Sequence, residues 1–255
     1  MNKNKNIKNN QTEKAYKNLD FLNSKDARIV RILSEYLYPK AQFEEENIQN
    51  TIVIFGSARA PSPEDLGNEE GSNKNLKLAE YYDATRTLSK KLTEWSKSLN
   101  EEYQKYVICS GGGPGIMIAA NRGASEADGK NSALRISLPF ENIPNTYVSP
   151  ELDFEFHYFF TRKFWFSYLA KALIIMPGGF GTLDEFFEIL TLIQTGKIKK
   201  KMPIVLFGEE YWNKLINFET LVEFGTINRE DLDLFFLTSN VDEAYEYIVS
   251  NLSSK

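Results

Sequence analysis

The chain has 255 residues, with 30 Lys and Arg against 35 Asp and Glu and a formal net charge of −5. That length buries a sizeable core in one α/β domain, and the acidic balance leaves no basic footprint for nucleic acid as a partner. One cysteine excludes an intramolecular disulfide framework and fits a reducing compartment. No apolar run is long enough to span a bilayer, and the N-terminus lacks the apolar core of a secretory signal. A cytoplasmic protein with no membrane partner is expected.

In chain order, residues 1 to about 23 are polar and rich in Asn and Lys, a composition expected to stay disordered or loosely attached. Ser24 is an N-cap residue, and Ala27, Val30, Leu33 (or Ile32) and Leu37 then fall at helical spacing until Pro39, which is expected to stop the helix. Residues 1–50 therefore read as an extension with one helix, packed on the sheet or on a partner subunit, and 51–255 as one domain. Thr51–Phe55 reads as a first buried strand ending in Gly56-Ser57-Ala58-Arg59. Ser57 can hydrogen-bond a base or ribose there, while Arg59 either reaches an anion or is a solvated loop arginine. Pro61 to about Asn75 has loop composition. A long amphipathic helix follows, its apolar faces supplied by Leu78, Tyr82, Leu88, Leu92 and Trp95.

Tyr106–Cys109 reads as the next strand, with Cys109 as inert packing. Ser110-Gly111-Gly112-Gly113-Pro114-Gly115 then turns into a helix beginning at Ile116. Ala133–Leu138 is another buried strand, Pro139–Pro144 a loop, and an extended segment lies near Phe154–Phe159. His157, the one histidine, excludes sites built on two imidazoles and reads as a structural hydrogen-bonding residue. Thr161 is placed to cap a helix whose first turn holds Arg162 and Lys163. Cations there oppose the helix dipole, a cost that an anionic ligand or Glu185 would offset. After the strand Ala172–Ile175 comes Met176-Pro177-Gly178-Gly179-Phe180-Gly181-Thr182-Leu183-Asp184-Glu185, which leads into a helix at Phe186. Lys197–Lys201 reads as a solvated turn and Met202–Phe207 as a strand. Tyr211 and Trp212 open a helix that includes Leu215 and Phe218, and Asn240–Asn251 makes a terminal helix. Strands near Thr51, Tyr106, Ala133, Ala172 and Met202, alternating with helices, predict a doubly wound, mainly parallel α/β sheet.

Two glycine-rich turns then fall on one sheet edge, the carboxyl edge where such folds bind ligands. Each joins a strand to a helix N-terminus, whose free N–H groups and dipole suit a phosphate. Gly178, Gly179 and Gly181 let the main chain approach a ligand without a Cβ between. Thr182 can cap the helix or donate to the same anion, and Glu185 is expected in its first turn. A tight turn in which Asp184 and Glu185 merely complement the dipole is the bland alternative. Other chemistries lack their residues: Gly-x-Gly-x-x-Gly fails at Ile116, no Gly-Lys-Ser/Thr exists for a P-loop, and no cysteine pair or histidine cluster can hold zinc. No lysine sits in a turn suited to a pyridoxal phosphate Schiff base.

Pro177-Gly178-Gly179-x-Gly181-Thr182-x-x-Glu185 resembles the signature of the LOG ("Lonely Guy") family, long mislabelled as lysine decarboxylases. Gly111-Gly112-Gly113-Pro114-Gly115-Ile116-Met117, the Arg162-Lys163 pair and Phe55-Gly56-Ser57-Ala58-Arg59 match in the same order, over about Thr51 to Ile248. The resemblance implies a Rossmann-like fold and a nucleoside 5′-monophosphate phosphoribohydrolase, acting on AMP or a cytokinin nucleotide without metal or cofactor. It pairs Arg162 and Glu185 as catalytic residues. Gly56, Ser57, Gly111, Gly112, Gly113, Met117, Lys163, Pro177, Gly178, Gly179, Gly181 and Thr182 would bind the nucleotide, with Arg59 and Glu141 as further candidates. It also implies a homodimer or higher homo-oligomer, with the helix of Phe164, Trp165, Phe166 and Tyr168 as either contact or core. A nucleotide-binding regulator or carrier without hydrolysis is the rival reading, since fold does not fix function.

Overall fold

The computed structural model describes residues 12–66, 73–100, 102–137 and 144–253. Its strands are β1 (Thr51–Phe55), β2 (Val107–Ser110), β3 (Asn131–Ile136), β4 (Asp153–Phe156), β5 (Ala170–Ile175), β6 (Ile204–Phe207) and β7 (Phe236–Thr238). They form a seven-stranded sheet in the order β4-β3-β2-β1-β5-β6-β7, and every adjacent pair is parallel. The helices among the described residues are α1 (Leu19–Asn23), α2 (Arg28–Glu45), α3 (Pro63–Leu66), α4 (Asn73–Ser98), α5 (Ile116–Glu126), α6 (Phe159–Tyr168), α7 (Phe180–Gln194), α8 (Glu209–Leu215), α9 (Phe218–Glu223) and α10 (Val241–Ser253).

Period-two alternation along the strands feeds two cores. Ile52, Ile54 and Ile108 pack with Tyr82, Leu88, Leu92, Ile116 and Ile248, from α4, α5 and α10. Val53, Phe55, Cys109 and Leu134 point the other way, toward Phe43, Trp165, Phe166, Phe186 and Trp212, from α2, α6, α7 and α8. Residues buried on both faces of every central strand explain why the strands read as continuous apolar runs. The predicted α/β sheet is therefore the observed one.

Several expectations need correction. The N-terminal helix starts after Ala27 rather than at a Ser24 cap, and it runs through Pro39 to Glu45. A proline cannot donate to the carbonyl four residues back. That carbonyl, on Glu35, instead accepts the indole N–H of Trp165 at 3.1 Å, so the helix continues without an orphaned acceptor. Val30, Leu33 and Leu37 face outward, while Pro39 and Phe43 are buried. Before it, Ala15–Lys17 and α1 are ordered turns, with Asn18 capping α1 through the Phe21 N–H. β7 was not foreseen, and the helix expected across Tyr211 to Phe218 divides into α8 and α9. In the predicted surface turn, Lys200 Nζ reaches the Ser167 and Tyr168 carbonyls at the end of α6. A cation is favourable there.

Candidate active site

The chain steps outward from β1 to β4, then returns to place β5 beside β1. This reversal opens a crevice at the carboxyl ends of β1 and β5, where ligands of open α/β sheets bind. Two hydrogen bonds lock its base: the Met176 N–H donates to the Phe55 carbonyl at 2.8 Å, and the Ser57 N–H to the Pro177 carbonyl at 2.9 Å. A cavity of about 710 Å³ lies above it, within the usual range for small-molecule sites. Gly56, Ser57, Gly111 and Met117 line it together with Pro177, Gly178, Gly179, Gly181 and Thr182. Arg162 and Glu185 belong to the same lining, and so does Arg59. Gly112, Gly113 and Lys163 lie outside the lining, and Glu141 falls outside the described residues.

The glycines do different work. Gly179 is the N-cap of α7, and no side chain caps that helix; its first amide N–H groups have no partner within the helix. A Cβ at Gly179 or Gly181 would meet nothing within 4 Å, so both leave open space over these amides. Gly178 instead packs inward, since a Cβ there would stand 2.1 Å from Thr182 Oγ1. Thr182 is accordingly a buried third residue of α7 and not its cap.

In the other turn, a Cβ at Gly111 would come within 2.7 Å of both Arg162 Nη2 and Met117 Sδ. Glycine at 111 is what lets the guanidinium reach this turn. Gly112 adopts φ +70°, with its carbonyl accepting from Arg135 Nη1 at 2.8 Å and its N–H donating to Ser110 Oγ at 3.1 Å. A buried polar network holds Ser110 in turn. Its hydroxyl donates to Asn121 Oδ1 at 2.7 Å, which also accepts from Asn145, while the Asn121 amide donates to Asn131 at 2.8 Å. Satisfied networks of this kind rigidify what they hold.

Arg162 reaches the cavity from α6. Its Nε donates to the Leu134 carbonyl at 2.8 Å, and its guanidinium lies 5.1 Å from the Phe166 ring centre. Glu185 is the sixth residue of α7, one turn deeper than expected, and only 7% exposed. Burial pushes its carboxyl up from 4.5 to about 7, against the pull of Lys163 and Arg162. Near neutral pH this group can both give and take a proton. Lys163 bridges α6 to α7, with Nζ 2.7 Å from Asp184 and 2.6 Å from Glu188.

Thr161 was expected to cap α6, but Tyr158 occupies the N-cap position without a side-chain cap. Glu35 of α2 meets the helix end, through three donors on and before the first turn. The His157 imidazole is exposed and edge-on to Tyr158, and its hydrogen bond to Glu35 comes from the backbone N–H. Sequence reading also missed Tyr211, whose hydroxyl donates to the Gly178 carbonyl at 2.6 Å, and the apolar lining from Leu78, Ile136, Phe159 and Phe180. Phe180 occupies the variable position of the glycine motif, and the others carry no local motif because each arrives from a distant element. Among the described residues, no group of three His, Cys, Asp or Glu could hold a metal ion, and no helix is long and apolar enough to cross a membrane.

A family model described as "Possible lysine decarboxylase" matches residues 117–248, more than half of the chain. The chain belongs to this family. Several of the curated relatives it matches carry the LOG name. One is a probable cytokinin riboside 5′-monophosphate phosphoribohydrolase, LOG4, of Oryza sativa subsp. japonica, 37% identical over 75 residues. That match covers 29% of this chain and 32% of the rice protein, so the chain spans about a third of that relative's length. LOG5 of Arabidopsis thaliana, a cytokinin riboside 5′-monophosphate phosphoribohydrolase, is 27% identical over 166 residues, covering 64% of this chain and 68% of its own. The X-ray structure of TM1055 aligns over 79% of this chain and 99% of its own, at 18% identity and a TM-score of 0.50. That likeness is one of fold.

Proposed function

We propose that this protein hydrolyses the N-glycosidic bond of a purine nucleoside 5′-monophosphate such as AMP, releasing the free base and ribose 5-phosphate. The observation that carries the reading is the convergence of buried Glu185 and Arg162 on one cavity, beside a helix N-terminus that no side chain caps. Such an end suits a 5′-phosphate, with Gly179 and Gly181 leaving room above the amides. Ser57 and the Gly111 turn border the ribose and base.

Cleavage of the bond between C1′ and the base nitrogen gives the sugar oxocarbenium character, as in glycoside hydrolysis. Ionised Glu185 stabilises that charge and takes a proton from the attacking water; the water oxygen bonds to C1′, the base leaves with the bonding pair and takes a proton from solvent, and Glu185 returns its own to solvent. Arg162, which keeps its charge throughout, holds the ribose and Glu185 in register. Lys163, off the cavity, keeps α6 and α7 together through Asp184 and Glu188. We propose assembly into at least a homodimer as well: Phe164 and Tyr168 of α6 are exposed, whereas Trp165 and Phe166 belong to the core. Cytokinin nucleotides are candidate substrates through the family relationship.

Incubation with AMP and measurement of adenine release tests the reading, with Glu185→Gln as the control. Release should fall by about two or more orders of magnitude in that variant, the scale of an acid–base group, while AMP still binds. Wild-type protein that binds AMP without releasing adenine would be a nucleotide carrier, and release at the wild-type rate by Glu185→Gln would overturn the mechanism.

A further inference from the structure

We infer that Glu35, on the N-terminal helix α2, is a positioning residue that sets α6 and thereby the guanidinium of Arg162. Its kinetic part rests on the hydrolase reading above; its structural part does not.

The first turn of α6 holds no acidic residue, and Tyr158 offers no side-chain cap. Arg162 and Lys163 add positive charge to an end that is already positive. Glu35 supplies the missing anion from another element. One carboxylate oxygen accepts the His157 N–H at 2.8 Å, and the other accepts the Tyr158 N–H at 3.3 Å and the Thr161 hydroxyl. Hydrogen bonds to an ionised acceptor are stronger and more directional than neutral ones. The same residue grips α6 one turn later, where its main-chain carbonyl accepts Trp165 Nε1 at 3.1 Å. Pro39, lacking an N–H, leaves that carbonyl available.

Arg162 lies between these two grips. Its backbone N–H donates to the Tyr158 carbonyl at 3.3 Å, inside the segment that the carboxylate fixes, and its Nε spans to β3 at Leu134. A shift of the first turn therefore moves the guanidinium away from both Leu134 and the Gly111 turn. The phosphate cradle at Gly179 and Gly181 precedes the Asp184 and Glu188 that Lys163 holds on α7, so the fault falls more on reaction than on binding.

The two attachments can be separated. Changing the side chain at 35 removes the carboxylate but leaves the main-chain carbonyl, so the Trp165 indole N–H reports whether α2 is still docked. Full-length Glu35→Gln and Glu35→Ala would be compared with wild type by nitrogen-15 NMR of the Arg162 Nε–H and Trp165 Nε1–H, beside kcat and KM for AMP. The expected result in both variants is an unchanged indole resonance, Arg162 Nε–H exchange about tenfold faster, kcat lower by about tenfold or more, the scale of a misplaced catalytic group, and KM within about twofold. Wild-type Arg162 exchange and kcat in both variants would overturn the inference. So would loss of the indole resonance in both, which would make Glu35 only an anchor for α2. If wild-type protein releases no base but Arg162 exchange still quickens in the variants, the positioning role stands and the hydrolase reading falls.

Discussion

Glu185→Gln keeps the size of a buried side chain and removes its charge, so it separates the cost of that charge from its use. The carboxyl is pushed up from 4.5 to about 7, chiefly by burial. A group with a raised folded-state value holds its proton more tightly folded than unfolded. The stability it contributes is complete below about pH 4.5 and is lost as pH rises through about 7. Moving between those two values favours the neutral form by about 3 kcal/mol, of which about 2–3 kcal/mol should be lost between pH 5 and pH 8. For a chain of this size that corresponds to roughly 5–10 °C in Tm. Glutamine carries no charge to bury. The variant should thus escape this loss, gaining on wild type by that margin as pH rises, while base release collapses. Thermal unfolding of both proteins at pH 5, 6, 7 and 8 measures the difference. Parallel Tm curves would refute a buried, proton-retaining Glu185, and with it the stability argument. In the active protein the same ionisation should give kcat/KM a limb that ascends with pH through about 7.

The two faces of the glycine turn should separate by substitution. Gly179→Ala meets no neighbour and should leave Tm unchanged while weakening AMP binding in titration calorimetry. Gly178→Ala drives a Cβ against Thr182 and should lower stability in urea by about 1–3 kcal/mol, as overpacking does. Arg162→Lys keeps the charge but loses the planar fork that meets both Leu134 and the site; base release should drop at least about tenfold, with AMP binding less affected. Asn121→Leu takes a partner from each of Ser110, Asn131 and Asn145 in a buried network, and denaturant unfolding should show a loss of about 2–4 kcal/mol.

Much of this was legible along the chain because it is encoded locally. Ile52 to Phe55 and Leu173 to Ile175 read as buried strands because both faces of those strands are covered. The glycine turns after β2 and β5 share an edge because parallel strands must all end on the same side. Arg162 and Glu185 were paired by the family resemblance, though Glu185 lies deeper in α7 than its place after the glycines suggested. Helix ends were read less well. Thr161 and Thr182 are cap-type residues, yet each is the third residue of its helix, behind an N-cap, Tyr158 or Gly179, that makes no side-chain cap.

What the sequence by itself determined is the alternation of most of the strands and helices, and the two glycine turns that share one edge. Those follow from apolar periodicity and glycine spacing, which act over a few residues. Only the tertiary structure decided the proton affinity of Glu185, the inward packing of Gly178 and the link from Glu35 to α6. Burial sets the first, Thr182 and Tyr211 close around the second, and Pro39 frees a carbonyl for the third. Each depends on groups far apart in the chain meeting at distances of a few ångströms, and pairings of that kind leave no periodic trace in the chain itself.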